Sequence, residues 1–93
     1  MLDKNMIYEI LCYVWHQEKL GGLQLSIKIE NFSSCGFSAD LKTVALHFDV
    51  AIRYGLVKGC VIVPVNENIT INFSGLTLEG FKYMNEVEYR KNC

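Results

Sequence analysis

The sequence has no basic excess. Nine Lys and Arg stand against ten Asp and Glu, for a formal net charge of −1. Proteins dedicated to nucleic acid usually carry a positive surplus, so the balance weighs against that class. No apolar run approaches the ~20 residues that a membrane span requires. No C-x-x-C pair exists. Cys12, Cys35, Cys60 and Cys93 are far apart, and neither His16 nor His47 lies near a cysteine at zinc-ligand spacing. No secretory leader is expected, because Asp3 and Lys4 interrupt the first residues and no small-residue cleavage site follows an apolar core. Four cysteines could form two disulfides, but without a leader the expectation is reduced thiols in the cytoplasm. Cys12 then belongs to the core, and Cys93 is an exposed tail thiol.

Catalytic signatures are missing as well. No serine, cysteine or carboxylate is spaced to form a dyad or triad with His16 or His47. Glu86 and Glu88, two apart, do not face each other on a helix. The glycines are scattered turn punctuation, and none builds a phosphate-cradling loop. The expectation is a non-enzyme with no catalytic residue, no metal and no cofactor.

What is present is enough apolar material for one modest core: 51% of the 93 residues are hydrophobic and 12% aromatic. That favours one ordered domain over disorder. Met6, Ile7, Ile10, Leu11, Val14 and Trp15 recur at helical spacing. Asp3 is suited to cap that helix, Gly21 to end it and Lys19 to complement its dipole. In LQLSIKIENF, residues 23–32, the apolar residues alternate, which predicts a half-buried strand. Residues 31–36 are turn-like, or one short helical turn. Leu41, Val44, Ala45, Phe48, Ala51 and Ile52 then share one helical face, with Ser38 as expected N-cap, Asp40 in the first turn and Gly55 as terminator.

Residues 60–64 and 69–73 read as two strands joined by a hairpin loop at 65–68. Pro64 cannot donate to a ladder and belongs at a strand end or edge. Thr77 is suited to cap a closing helix that runs to about Tyr89, with Leu78, Phe81, Met84 or Tyr83, and Val87 on its inner stripe. Arg90 and Lys91 lie at its end, where cations are favoured. Gly80 falls in the first turn, although glycine in a helix costs roughly 1 kcal/mol against alanine. Its presence predicts close approach of that turn to neighbouring backbone.

The resulting order is an α+β winged-helix layout with an added C-terminal helix. HFDVAIRYGLVKG, residues 47–59, looks like the end of a recognition helix entering its wing, and LTLEGFKYM, residues 76–84, looks like the segment that follows a wing. Together they resemble the YjcQ-like proteins, small winged-helix proteins of bacteria and phages with no assigned function. The resemblance spans about residues 3–88. It departs between the first helix and the recognition helix, where this chain offers a strand and a turn in place of a full second helix. It implies a cytoplasmic protein from a phage or mobile element.

Two partners follow from that layout, since the fold hosts both. The leading expectation is DNA, read by the recognition helix as in a transcription regulator. The other is a protein, as for a phage inhibitor or anti-defence factor that occupies a host protein. The candidate contacts are Lys42, Thr43, Leu46, His47, Val50 and Arg53 on the outer helix face, with Lys58 at the wing base. Lys42, Thr43, His47 and Arg53 suit phosphates or base edges. Leu46 and Val50 suit a protein, and Asp49 opposes phosphate. The wing tip, Asn66-Glu67-Asn68, carries no cation. Tyr8, Tyr13, Trp15, Tyr54, Tyr83 and Tyr89 exceed what so small a core hides, which leads us to expect a homodimer through the first and last helices.

Overall fold

The computed structural model describes residues 3–21, 25–64 and 68–86. Three helices pack with a three-stranded antiparallel sheet. The chain runs α1 (Lys4–Lys19), β1 (Leu25–Ile27), a short 3-10 turn (Phe32–Cys35), α2 (Leu41–Arg53), β2 (Val57–Ile62), β3 (Thr70–Leu76) and α3 (Leu78–Glu86). The strand order is β1-β3-β2. Leu25 pairs with Phe73 and Ile27 with Ile71 on one side of β3, while Val61 pairs with Ile71 and Ile62 with Thr70 on the other.

Each helix begins where a side chain takes up free backbone donors. The Asp3 carboxylate accepts from the N–H groups of Asn5 at 2.9 Å and Met6 at 3.4 Å. Asp40, not Ser38, caps α2, accepting from Thr43 N–H at 2.9 Å. Hydrogen bonding from Thr43, through its side chain first and then its backbone N–H, holds the Asp40 carboxyl below its usual range. Ser38 is used elsewhere. Its backbone N–H and hydroxyl donate to the two carboxylate oxygens of Glu9 at 3.1 and 2.5 Å, which ties the approach to α2 onto α1.

The core lies between α1, α2 and one sheet face. Ile10, Leu11, Val14, Val44, Phe48, Ile71 and Phe73 are buried there, as their periodicity predicts. Tyr8, expected among the aromatics left over for an interface, is also buried, with its ring 5.6 Å from that of Tyr83 on α3. β1 is shorter than the alternation suggested: Ile29 is exposed, and Asn31 closes a turn by accepting from Lys28 N–H at 2.7 Å. Cys12 is disulfide-bonded, against the expectation of reduced thiols throughout, while Cys35 and Cys60 are free. Among the described residues no helix is long and apolar enough to cross a membrane.

α3 uses a different face from the one its leucine and phenylalanine suggest. Leu78 is 72% exposed and Phe81 39% exposed, whereas Gly80 and Met84 are buried. The reason is the anchor at its start. Thr77 N–H donates to the Leu56 carbonyl at 3.0 Å, Thr77 Oγ1 donates to the Gly55 carbonyl, and Gly80 N–H donates to Thr77 Oγ1 at 2.9 Å. This fastens the first turn onto the corner between α2 and β2 and rotates Gly80 against it. A Cβ at Gly80 would sit 2.0 Å from the Leu56 carbonyl oxygen. Close approach is therefore the reason for the glycine. Val87, Tyr89, Arg90 and Lys91 lie outside the described residues.

Gly80→Ala is expected to destabilise the fold by about 2 kcal/mol, the scale of overpacking against fixed backbone. Helix propensity alone predicts a gain of about 1 kcal/mol. Urea denaturation decides between them, and an unchanged or raised midpoint would refute the close contact.

Candidate functional site

The exposed face of α2 and the arms of the β2–β3 hairpin enclose a groove of about 580 Å³. α2 contributes Lys42, Thr43, Ala45, Leu46, Asp49 and Arg53, and the hairpin contributes Val61, Val63 and Ile69. Periodicity explains the set. Phe48 and Ala51 turn into the core, which leaves Lys42, Leu46, Asp49 and Arg53 in a row at spacings of three and four on the adjoining face. On β2, Val61 faces the same side as its β3 partner Ile71 and so looks toward α2.

The floor is apolar and the charge lies at the rim. Leu46 is 57% exposed despite its position in the middle of α2. Arg53 is not a free cation, because its Nε lies 2.9 Å from Asp49 Oδ2 one helical turn earlier. The pair is exposed, so its contribution to stability is small. Its effect is to place a carboxylate beside the guanidinium. Lys42 forms no ion pair among the described residues.

The structure gathers Lys42, Thr43, Leu46 and Arg53 of the expected contacts in this groove. Val50 is half-buried and lines a different hollow, of about 140 Å³, with Lys4, Ile7, Tyr54 and Tyr83. Lys58 is exposed on β2 and does not line the groove. Asn66 and Glu67 of the expected wing tip lie outside the described residues, and Asn68 is exposed.

His47 is a correction. Expected to be partly exposed on the contact face, it is only 5% exposed. The Asp3 backbone N–H donates to its Nε2 at 3.2 Å, and its Nδ1 lies 2.8 Å from the Thr43 carbonyl oxygen. The backbone N–H can only donate, so Nε2 is the acceptor. Nδ1 then carries the proton and donates to Thr43. Nε2 joins the start of α1 to α2, Nδ1 is held by the backbone of α2 itself, and neither is left for a ligand.

Sequence reasoning missed Ala45, Val61, Val63 and Ile69. A signal existed for Val63, since residues 60–63 are apolar without interruption where a half-wet strand would alternate. A second hollow, of about 350 Å³, lies between α1 and the turn before α2 and is lined by Tyr8, Cys12, Tyr13, Cys35 and Phe37 among others. Cys35 Sγ donates to the Tyr13 hydroxyl at 3.3 Å, and burial, then the Cys35 contact, pushes the Tyr13 phenol above its usual range.

Comparison of the chain with known protein families, with curated proteins and with solved structures gives no match.

His47→Ala is expected to cost about 1–3 kcal/mol, because it removes a buried ring and the hydrogen bond that joins Asp3 to α2. Its affinity for a ligand of the groove should be unchanged once the protein is folded. Denaturant midpoints and binding measured on the same variant check this, and a selective loss of binding at full stability would return His47 to the contact set.

Proposed function

We propose that the chain is a small winged-helix-type interaction module, without catalytic chemistry, that holds a protein partner in the groove between α2 and the β2–β3 hairpin. The observation that carries this reading is the groove's apolar floor, built by Ala45, Leu46, Val61, Val63 and Ile69. An apolar hollow with a polar rim gains free energy by taking up a partner's side chains. A sugar–phosphate backbone gains nothing there. The winged-helix part of the reading rests on element order and on the β1-β3-β2 sheet, which sets α2 beside the hairpin as a helix beside its wing. The resemblance to YjcQ-like proteins supports a phage or mobile-element source, while the disulfide at Cys12 counts against a cytoplasmic setting.

DNA is the second reading. What favours it is the presence of Lys42, Thr43 and Arg53 on the same helix face, with Lys58 exposed on the hairpin. Against it stand the Arg53–Asp49 pair, which puts negative charge where a phosphate must approach, and the net charge of −1. Electrostatic release of counterions drives most DNA affinity, and this face offers little of it.

The test compares the tagged chain with Leu46→Asp and Arg53→Ala, each exposed to bacterial lysate and each titrated with labelled random duplex DNA. A protein retained by the parent and by Arg53→Ala should fall about tenfold or more with Leu46→Asp, the effect of truncating a central contact. DNA should give no salt-sensitive anisotropy change. DNA binding at about 10⁻⁴–10⁻⁶ M that weakens with salt would overturn the reading.

A further inference from the structure

The groove is open along one strand edge. β3 lies between the other two strands, so β2 has a neighbour on one side only among the described residues. Its outer row of N–H and C=O groups meets no strand there. Natural edges are commonly guarded by lysine, proline or a bulge. All three guards occur here, but at the ends. Lys58 and a register shift between Lys58 and Gly59 stand at the start, and Pro64 stands just past the finish. Between them, residues 60–63 read Cys-Val-Ile-Val, with no charge and with β-branched side chains. Ile62 is 45% exposed and Val63 68% exposed. Val61 and Val63 also line the groove. The unguarded edge and the apolar hollow therefore share residues.

We propose that residues 60–63 accept an extended segment of the partner protein as an added strand, with alternate apolar side chains of that segment entering the groove beside α2. This rests on the reading that the groove holds protein, and it specifies the partner's form. The edge chooses its occupant by chemistry. A row of alternating backbone donors and acceptors is matched only by another extended backbone. A helix satisfies its own backbone groups, and duplex DNA offers no such alternation. Period two then directs every second side chain of the entering strand toward the floor formed by Ala45, Leu46 and Val61. Charge narrows it further. Lys42 stands at the rim with its charge acting on nearby Asp40 but in no direct ion pair among the described residues, whereas Arg53 is already matched by Asp49. The segment is therefore apolar at alternate positions, with a carboxylate placed to meet Lys42.

The probes are three synthetic octapeptides that alternate threonine with valine, isoleucine or phenylalanine and carry one terminal aspartate. Each is also made in two forms, N-methylated on one or the other alternate set of amides. Fluorescence titration against the full chain should show binding by at least one parent peptide. Methylation of the set facing β2 should weaken it about tenfold or more, the effect of losing two or three hydrogen bonds, while methylation of the opposite set leaves it within about twofold. Lys42→Ala should weaken the same peptide, and its effect should vanish when the aspartate is replaced by asparagine. Equal affinity of both methylated forms would mean that side chains alone hold the peptide, which overturns strand addition but keeps the protein-binding groove. No peptide binding at millimolar concentration, with protein capture still lost in Leu46→Asp, overturns this inference alone. Failure of both peptide binding and capture, with salt-sensitive DNA binding, overturns both. Self-association abolished by Val63→Lys would assign the edge to a second copy and overturn the partner-segment assignment.

Discussion

The geometry of the functional face depends on the corner at Gly55–Leu56. α2 ends there as its last carbonyls are taken up by the turn that follows: Gly55 N–H donates to Ile52 and Leu56 N–H to Ala51, with Gly55 at φ 76°. The left-handed residue is what reverses the chain. The same two residues then offer their carbonyls to Thr77, which begins α3. One corner thus closes α2, launches β2 and fastens α3. It sets the angle between α2 and the hairpin, and hence the width of the groove. Before its first turn α2 is tied to α1 through Ser38 and Glu9, and at its middle His47 joins it to the start of α1. α2 is thus held before its start, at its buried middle and at its end, which leaves its outer face largely free of structural duty.

A face free of that duty is informative in its composition. A lone exposed leucine is ordinary on a helix surface, but Leu46 lies in the same groove as Val61 of β2 and Val63 just beyond it. Here the apolar residues converge from two elements far apart in sequence, and the charges are partly self-neutralised at the rim. Desolvating Leu46 and the hairpin valines favours association, at roughly 25 cal/mol for each Å² of apolar area buried. Arg53, held by Asp49, offers little Coulombic attraction to a polyanion. The balance of these effects is what distinguishes the two partner classes that the fold alone leaves open.

Much of this was legible in the sequence, and the exceptions have physical causes. The helices, the order of elements, the Asp3 and Thr77 caps and the close approach at Gly80 follow from local rules about spacing, capping and the missing Cβ. Several of the misreadings concern residues whose role is set by a distant partner. Ser38 has the right chemistry for an N-cap, but Glu9 claims it, and Asp40 fills the position. His47 looks like a contact residue by its helical angle, yet Asp3, 44 residues earlier, buries it. Leu78 and Phe81 look like core, but the Thr77 anchor turns them outward. The groove itself was half legible. Its α2 side follows from helical spacing, whereas its hairpin side depends on register between β2 and β3, which no local pattern states.

Strand addition and groove filling have complementary weaknesses. Residues 60–63 offer only a short ladder, and a few backbone hydrogen bonds exchanged against water contribute about 1 kcal/mol each. Alone they bind many extended segments weakly and choose poorly among them. The groove discriminates by side-chain size and polarity, but an unconstrained ligand must lose conformational freedom to enter it. A strand fixed along β2 has already lost that freedom, and its side chains arrive in register with the floor. Backbone pairing therefore supplies orientation and the groove supplies choice. The guards at Lys58 and Pro64 limit pairing to the stretch where the groove can inspect what is bound. An edge unguarded along its whole length would pair with any strand, and an edge guarded throughout would leave the groove without its alignment.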